Sequence, residues 1–163
     1  MNYGTAGFRD RADKIIDISF KIGRIITYLA IIKNQNFGIM ITASHNEYQD
    51  NGVKIVDYNG QMIDSEYEST IENYINDKEE IGKYLEILSP KKILIGYDSR
   101  LSCNKIKSEI IKGIHSISDK TGIIDYGKVT TPQHHYLVSI NSNDKDDYIE
   151  KFKEFNILNI STS

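Results

Sequence analysis

Residues 37–56 of the chain read FGIMITASHNEYQDNGVKIV, and this stretch predicts two strands joined by a polar loop. The apolar run over 37–43 is too short for a core helix, so it predicts a buried strand that ends just before Ser44. The residues at 53–56 predict a second strand, since Val53, Ile55 and Val56 are apolar and the turn dipeptide at 59–60 follows them. The polar segment 44–51 is therefore a loop between two strands, and it presents a serine hydroxyl directly after the first one.

The elements on either side of this stretch alternate between helical and strand patterns. Isoleucines at intervals of three and four residues predict a core helix over 15–32. The remaining predictions, in chain order, are a helix over 65–88, a strand over 92–97, a helix capped by Ser102 or Asn104 and running to about Ile117, a strand over 123–126, and a helix with Thr131 as N-cap and Pro132 at its first helical position. This order predicts an α/β fold with a mixed sheet covered by helices on both faces.

The most polar stretch, NSNDKDD at 141–147, is the best candidate for a domain boundary. A chain of 163 residues has enough material for one ordinary domain, which we place at residues 1–142. After the polar stretch, Tyr148, Phe152 and Phe155 predict a new helix. Residues 143–163 are therefore expected to be a linker and the start of a second, truncated domain.

The charge and cysteine content exclude several classes of protein. The 20 basic residues are scattered among 23 acidic ones, with a net charge of −3, so we expect neither nucleic acid nor an anionic membrane as a partner. Cys103 is the only cysteine and cannot form an internal disulfide. The sequence has no signal-peptide core and no apolar span of bilayer length. We therefore expect a cytoplasmic protein.

The loop after the first strand has the properties of a phosphoryl acceptor. A serine that carries a phosphoryl group must be exposed, and nearby donors or cations must offset about two negative charges. Lys54, Arg9 and the backbone amides around Gly52 could supply these groups for Ser44. The alternative is a serine that only caps a turn after a strand.

Three blocks of sequence favour the phosphoryl acceptor. They are GTAGFR at 4–9, the serine loop ITASHN at 41–46 with DNGVKIVD at 50–57 and GQM at 60–62, and VTTPQ at 129–133 with His135 and Tyr136. In these blocks and their order the chain resembles the α-D-phosphohexomutases, in particular the phosphoacetylglucosamine mutases. The resemblance covers nearly the whole chain and falls on the first domain of that family.

The resemblance implies a phosphoserine mechanism. Phosphorylated Ser44 would give its phosphoryl group to a sugar monophosphate, and the resulting bisphosphate would return its other phosphoryl group. This exchange interconverts N-acetylglucosamine 6-phosphate and 1-phosphate in UDP-N-acetylglucosamine biosynthesis. Arg9 and Lys54 match positions near the transferring group, where they would stabilise its charge. His45 matches the same catalytic loop, and we expect it to shape the loop with Asn46 rather than to exchange protons.

The resemblance also implies Mg²⁺, held between the phosphoserine and a DGDxDR loop in the family's second domain. This sequence has no such loop, so we expect the chain to give the metal a single ligand, the phosphate on Ser44. The expected partners are an amino-sugar phosphate substrate and the missing C-terminal domains. The family usually has proline where this chain has Glu47, which would loosen the loop and put a negative charge near the phosphoserine or else point outward. The isolated chain is expected to catalyse little or nothing.

Two other functions remain open at this point. The chain could be a truncated, catalytically silent phosphoprotein or interaction module derived from such a mutase. A nucleotide-binding domain is disfavoured, because no glycine-rich phosphate loop leads from a strand into a helix.

Three further features have a structural and a functional interpretation. His134 and His135 invite a metal site, but adjacent helix positions diverge, so packing is favoured. Asp98 and Arg100 follow a strand where α/β proteins bind ligands, yet an ion pair or a helix cap explains them equally well. Cys103 has no histidine placed to activate it and is expected to be a small core or loop residue rather than a nucleophile.

Overall fold

Strands and helices alternate along the chain in the computed structural model, which describes residues 1–82 and 85–148. In chain order they are β1 (Phe8–Arg11), α1 (Ala12–Lys33), β2 (Phe37–Ile41), β3 (Asp50–Val56), α2 (Ser65–Ile75), β4 (Lys92–Tyr97), α3 (Cys103–Ile117), β5 (Gly122–Lys128) and α4 (Thr131–Ser139). The predicted α/β class is confirmed.

The strands form one mixed sheet in the order β1-β3-β2-β4-β5. β3 is antiparallel to both β1 and β2, whereas β2, β4 and β5 are parallel. The parallel connections contain α2 and α3, since parallel neighbours need a crossover rather than a hairpin. The carboxyl ends of β2 and β4 therefore lie side by side at one edge of the sheet, next to the start of β3.

Side-chain alternation along the strands divides the core into two layers. Phe37, Ile39 and Ile41 of β2 belong to the larger layer, which lies under α1, α2 and α3. Met40 belongs to the smaller layer, where it packs with Leu137 of α4. Helices thus cover both faces of the sheet, as predicted, and β2 is buried along its whole length.

Helix α1 packs against α3 through two glycines. A Cβ atom on Gly23 would lie 2.0 Å from the Ile110 carbonyl oxygen, and one on Gly113 would lie 2.0 Å from the Phe20 oxygen. The absence of both side chains lets the helix backbones approach closely. Among the described helices, including the 22-residue α1, none has the length and apolar character needed to cross a membrane.

Strand β1 was not predicted, because FRDR has no strand pattern of its own. It exists through its pairing with β3, in which Phe8 lies opposite Val53 and Arg9 opposite Gly52. Gly7 precedes it with φ of +82°, and a Cβ there would lie 2.3 Å from the Val53 oxygen. Only glycine allows the chain to enter this strand.

The helix predicted over 65–88, with an interruption near Gly82, is wrong for residues 76–82 and for 85–88, since α2 ends at Ile75. Asp77 adopts a left-handed φ of 60°, and the Lys78 amide turns back to the Asn73 oxygen at 2.7 Å. The pattern was misleading because Ile81 still packs on the core from a non-helical segment.

The predicted N-cap of α4 is shifted by one residue. Thr130, not Thr131, caps the helix: its hydroxyl accepts from the Gln133 amide at 3.3 Å, and the Gln133 side chain accepts from the Thr130 amide at 2.8 Å. Pro132 is therefore the second helical residue. This reciprocal pair is a capping box, and it needs the spacing of three residues that Thr130 provides.

The domain boundary at residue 142 stays a prediction. The Tyr126 hydroxyl donates to the Ser142 carbonyl oxygen at 2.5 Å, and the ring of Tyr148 lies 5.7 Å from that of Tyr136. The chain is thus held to the fold as far as Tyr148. Most of the predicted second unit, residues 149–163, lies outside the described residues.

Candidate functional site

The edge at the carboxyl ends of β2 and β4 carries the serine loop. Ser44 follows β2, and its side chain is exposed. Its backbone has φ of 41°, in the left-handed region that costs a non-glycine residue about 1–2 kcal/mol. The Ser44 amide donates to the Thr42 hydroxyl at 3.0 Å, and that hydroxyl donates to an Asp98 carboxylate oxygen at 2.7 Å. Side chains from both strands therefore hold the serine outward.

Arg9 and Lys54 lie on the same face of the sheet. Phe8 and Val53 point into the larger core, so Arg9 on β1 and Lys54 on β3 point to the opposite face, which α4 covers. The Arg9 guanidinium donates to the Asn46 side chain of the serine loop at 3.4 Å. The structure therefore brings the two predicted cations together, and Arg9 reaches the loop that carries Ser44.

Neither cation has an acidic partner in the described part of the chain. The ion pairs involve other residues, and Lys54 makes no side-chain hydrogen bond there. The Nε atom of Arg9 is buried without a hydrogen-bond partner among the described residues. Burial, and then the charge of Arg9, lower the pKa of Lys54. The two groups form a concentration of positive charge without internal compensation.

The remaining residues of the predicted loop differ in position. His45 is exposed, and its ring makes no hydrogen bond in the described residues, so its role in shaping the loop stays a prediction. Asn46 bridges the loop, because it accepts from Arg9 and donates to Asp50 at 3.3 Å. The exposed Glu47 carboxylate accepts from Gln49.

The sequence alone leaves the role of Asp98 and Arg100 open. The structure places both residues against the serine loop. Arg100 pairs with Asp98 at 3.3 Å and donates to backbone oxygens of the loop, among them those of Asn46 and Asp50, each at 2.9 Å. Burial alone would raise the pKa of Asp98, but hydrogen bonds from the Arg100 amide, Thr42 and Cys103, with the Arg100 charge, lower it. In the sequence, the only sign of a role for Asp98 and Arg100 is that they directly follow the strand that becomes β4.

Cys103 lies in the core beside this pair, as predicted. Its thiol is 3.3 Å from Asp98, and burial is the main reason that the pKa of the thiol is raised to about 11. The thiol is therefore protonated and unreactive at neutral pH.

His134 packs under the site between two strands. A Cβ on Gly38 would lie 3.0 Å from its ring, and one on Gly96 would lie 2.9 Å from it, so both glycines leave room for the imidazole. Burial lowers its pKa to about 4, and the neutral ring donates from Nε2 to the Leu94 oxygen at 2.9 Å. The predicted packing role is confirmed for His134. Burial and the charge of Lys54 also lower the pKa of His135.

Comparison with known proteins assigns part of this chain to a protein family. Residues 16–82 match the model of the phosphoglucomutase/phosphomannomutase α/β/α domain I. The match includes Ser44 and Lys54. Residues 16–82 belong to the phosphoglucomutase/phosphomannomutase family. The segment between β2 and β3 lies inside the matched range, whereas Arg9, Asp98 and Arg100 lie outside it.

Curated phosphoacetylglucosamine mutases match most of the chain. The chain is 33% identical over 148 residues to the phosphoacetylglucosamine mutase of Sus scrofa, and the match covers 85% of this chain and 27% of that protein. It is 35% identical over 159 residues to phosphoacetylglucosamine mutase 1 of Schizosaccharomyces pombe, covering 92% of this chain and 30% of that protein. The chain therefore spans less than a third of the length of these relatives.

Solved structures of phosphohexomutases share the fold. An Aspergillus fumigatus N-acetylphosphoglucosamine mutase in complex with GlcNAc-6P and magnesium matches with a TM-score of 0.73 and 28% identity, over 85% of this chain and 27% of that chain. The apo-form of an N-acetylglucosamine-phosphate mutase matches with a TM-score of 0.72 and 32% identity, over 84% of this chain and 32% of that chain.

The described residues do not by themselves form a magnesium site. They contain no group of three or more histidine, cysteine, aspartate or glutamate side chains that could hold a metal ion. The Asp98 carboxylate, which lies beside the loop, is engaged by Arg100 and Thr42. Phosphate oxygens on an exposed serine such as Ser44 are ligands of the kind that magnesium prefers.

Proposed function

We propose that this chain is the phosphoserine domain of a phosphoacetylglucosamine mutase, with Ser44 as the residue that carries the phosphoryl group. The exposed hydroxyl of Ser44 is held outward on a loop that Arg9 contacts through Asn46. The observation that carries the proposal is that Arg9 and Lys54 share one face and lack acidic partners in the described residues. A phosphoryl group with about two negative charges would supply that compensation.

The proposed reaction exchanges two oxygen–phosphorus bonds. A hydroxyl of the sugar phosphate attacks phosphorus and loses its proton to solvent or to a basic group, while the bond to the Ser44 oxygen breaks and that oxygen takes up a proton to regenerate the serine hydroxyl. Arg9 and Lys54 would stabilise the charge on the phosphoryl oxygens in the transition state. Lys54 is also suited to proton movement, because its pKa is lowered by burial and by Arg9.

Magnesium, when bound, would neutralise phosphoryl charge as a Lewis acid. We propose that this chain contributes a single ligand, the Ser44 phosphate, and that the other ligands come from sequence beyond it. The proposed partners are an amino-sugar phosphate and these further domains. Because Ser44, Arg9 and Lys54 are only part of such a site, we propose that the isolated chain is inactive. The proposed location is the cytoplasm.

The test is a mutase assay on the protein purified from its own cells, with any sequence that continues past residue 163. We expect interconversion of N-acetylglucosamine 6-phosphate and 1-phosphate, primed by a sugar bisphosphate. Ser44→Ala should abolish it, and Lys54→Met should reduce it at least about a hundredfold, as loss of a transition-state charge contact does. Ser102→Ala, a serine at the same edge but outside the loop, is the matched control and should keep activity.

Two results would contradict the proposal. Full activity in Ser44→Ala would remove the phosphoserine from the mechanism. A natural product that ends near Ser163 and shows no turnover would favour the silent phosphoprotein, the alternative that the homology favours less.

A further inference from the structure

We propose that Arg100 is a positioning residue, which fixes the backbone of the serine loop so that a phosphoryl group on Ser44 is held against Arg9 and Lys54. The inference rests on the proposed function for what the loop carries. The contacts that define the role of Arg100 are independent of that function.

The Arg100 guanidinium binds the loop backbone at four oxygens. One terminal nitrogen donates to the carbonyl oxygens of Glu47 and Asp50, and the other donates to those of Ser44 and Asn46. The distances are 2.9 Å to Asp50, 2.9 Å to Asn46 and 3.4 Å to Ser44. A planar guanidinium offers five N–H groups in a fixed fork, so one side chain can define the curvature of the whole loop.

The ion pair with Asp98 extends this control to the serine itself. Arg100 Nε donates to the same Asp98 oxygen that accepts from the Thr42 hydroxyl, and Thr42 in turn accepts from the Ser44 amide. The Arg100 side chain is only 9% exposed, so water competes little for these contacts. Ser44 is therefore held by its carbonyl oxygen through Arg100 and by its amide through Thr42 and Asp98.

The loop has few other sources of stiffness. No proline fixes φ between residues 44 and 50, and Ser44 has a left-handed φ of 41°. Its side chains are largely exposed, and its backbone bonds within the loop are short-range, such as that of the Asn46 amide to the Ala43 oxygen. An unfavourable backbone conformation persists only where surrounding contacts impose it. Arg100 makes four of those contacts, and others come from the Ala12 amide, which donates to the Gln49 oxygen at 3.0 Å, and from Arg9.

Amide hydrogen exchange on the 163-residue chain tests the contact. The variants are Arg100→Gln and Arg100→Lys, compared with Arg24→Gln. Arg24 is a matched control because it also bridges distant segments, through Tyr74 and Ser116, but away from the serine loop. We expect both Arg100 variants to exchange amides of residues 44–50 about tenfold faster or more, with β2, β4 and α1 unchanged. Arg24→Gln should leave the loop at the wild-type rate.

A titration of phosphoserine at position 44, followed by phosphorus NMR, tests the consequence for the phosphoryl group. In the wild-type chain, Arg9 and Lys54 should hold the second pKa of the phosphate below that of free phosphoserine. Arg100→Gln should move it toward the free value, and Arg100→Lys should do so less. Arg24→Gln should not move it, which separates positioning from general stability.

The proposal is overturned if Arg100→Gln and Arg100→Lys leave loop exchange and the phosphate pKa at wild-type values. Should Arg100→Gln fail to fold, the lysine variant, which keeps the charge but not the fork, decides the matter alone. A wild-type phosphate that titrates like free phosphoserine would contradict the proposed function instead. The exchange rates would then still decide whether Arg100 holds the loop.

Discussion

Lys54 lies in an environment that disfavours its own charge. The side chain is partly buried next to Arg9 and has no acidic partner in the described residues, and both burial and Arg9 lower its pKa. The folded, unphosphorylated protein therefore holds the charged form less well than the unfolded chain does. Such a position is stabilised by its ligand rather than by its neighbours.

Lys54→Met should therefore stabilise the unphosphorylated chain while removing activity. After discounting for solvent screening, we expect a gain in the free energy of unfolding on the order of 0.5 kcal/mol. Urea unfolding at neutral pH measures it. Lys112→Met, at an exposed lysine paired with Glu109, is the control and should not raise stability. A lower urea midpoint for Lys54→Met would show that the lysine is structural.

His134 should make the stability of the chain depend on pH. Its pKa is about 4 in the folded protein against an ordinary value of 6.5, because burial disfavours the charged ring. The unfolded state thus binds the proton more tightly than the folded state does. The contribution of neutral His134 to the free energy of unfolding is therefore complete above about pH 6.5 and is lost as pH falls toward about 4. Between about pH 7.5 and about pH 5 the loss is about 2 kcal/mol.

Urea unfolding at several pH values measures this slope. His134→Leu should remove most of it, with a smaller part of the same sign left for His135, whose pKa is also lowered by burial. The exposed His115 provides the control, and His115→Gln should keep the wild-type slope. An unchanged slope in His134→Leu would mean that the acid sensitivity comes from elsewhere.

The residues of the candidate site were not equally accessible to prediction. Ser44, Arg9 and Lys54 lie in recognisable blocks, so the sequence predicted them, and the structure brings the two cations to one face. Arg100 was left undecided, because its partners are loop carbonyl oxygens more than fifty positions earlier in the chain. Backbone acceptors carry no residue signature. Such a role becomes visible only when the sheet order is known.

At the scale of elements, the N-terminus of α4 offers a direct comparison of two neighbouring threonines. Thr130 makes both bonds of the capping box, whereas Thr131 is already helical. Thr130→Ala should lower the free energy of unfolding by about 1 kcal/mol. Thr131→Ala should leave it nearly unchanged, because alanine is the better helix former and Thr131 makes no side-chain hydrogen bond among the described residues. Thermal or urea unfolding of both variants checks this. Equal losses would contradict the assignment of the cap.

The contact between α1 and α3 should tolerate no side chain at its glycines. Alanine at Gly113 would favour the helix by about 1 kcal/mol in isolation, but its Cβ would lie 2.0 Å from the Phe20 backbone oxygen. Backbone cannot rotate away as a side chain can, so we expect Gly113→Ala to destabilise the chain by about 2–3 kcal/mol. Gly122→Ala, whose Cβ would meet only Lys92 within 3.4 Å, should be mild by comparison. A stabilised Gly113→Ala would show that the helices do not pack this closely.

The elements that were predicted well have strong patterns of their own. The core helix α1 and the buried strands β2 and β4 carry runs or periodic spacings that only one structure satisfies. β1 depends on pairing with β3, and the end of α2 depends on a turn at Asp77. Pairing and turn contacts of this kind are not encoded in local hydrophobic periodicity.

For the whole molecule, the sheet order explains why widely separated blocks of sequence form one site. β3 lies between β1 and β2, so Arg9 lies beside Lys54 and contacts the loop after β2, although more than thirty residues separate it from both. The parallel pair of β2 and β4 adds Asp98 and Arg100 at the same edge. The chain spans 27% to 30% of the relatives named above, so this edge is the part of a larger proposed site that it can supply.

Peptide mass spectrometry can measure directly whether Ser44 carries a phosphoryl group. The protein should be purified from its own cells and analysed before and after incubation with a sugar bisphosphate. We predict one phosphoryl group on the peptide containing Ser44, increased by the incubation, and none on Ser99 or Ser102. An unmodified Ser44 in both samples, or a phosphoryl group on a different serine, would contradict the account.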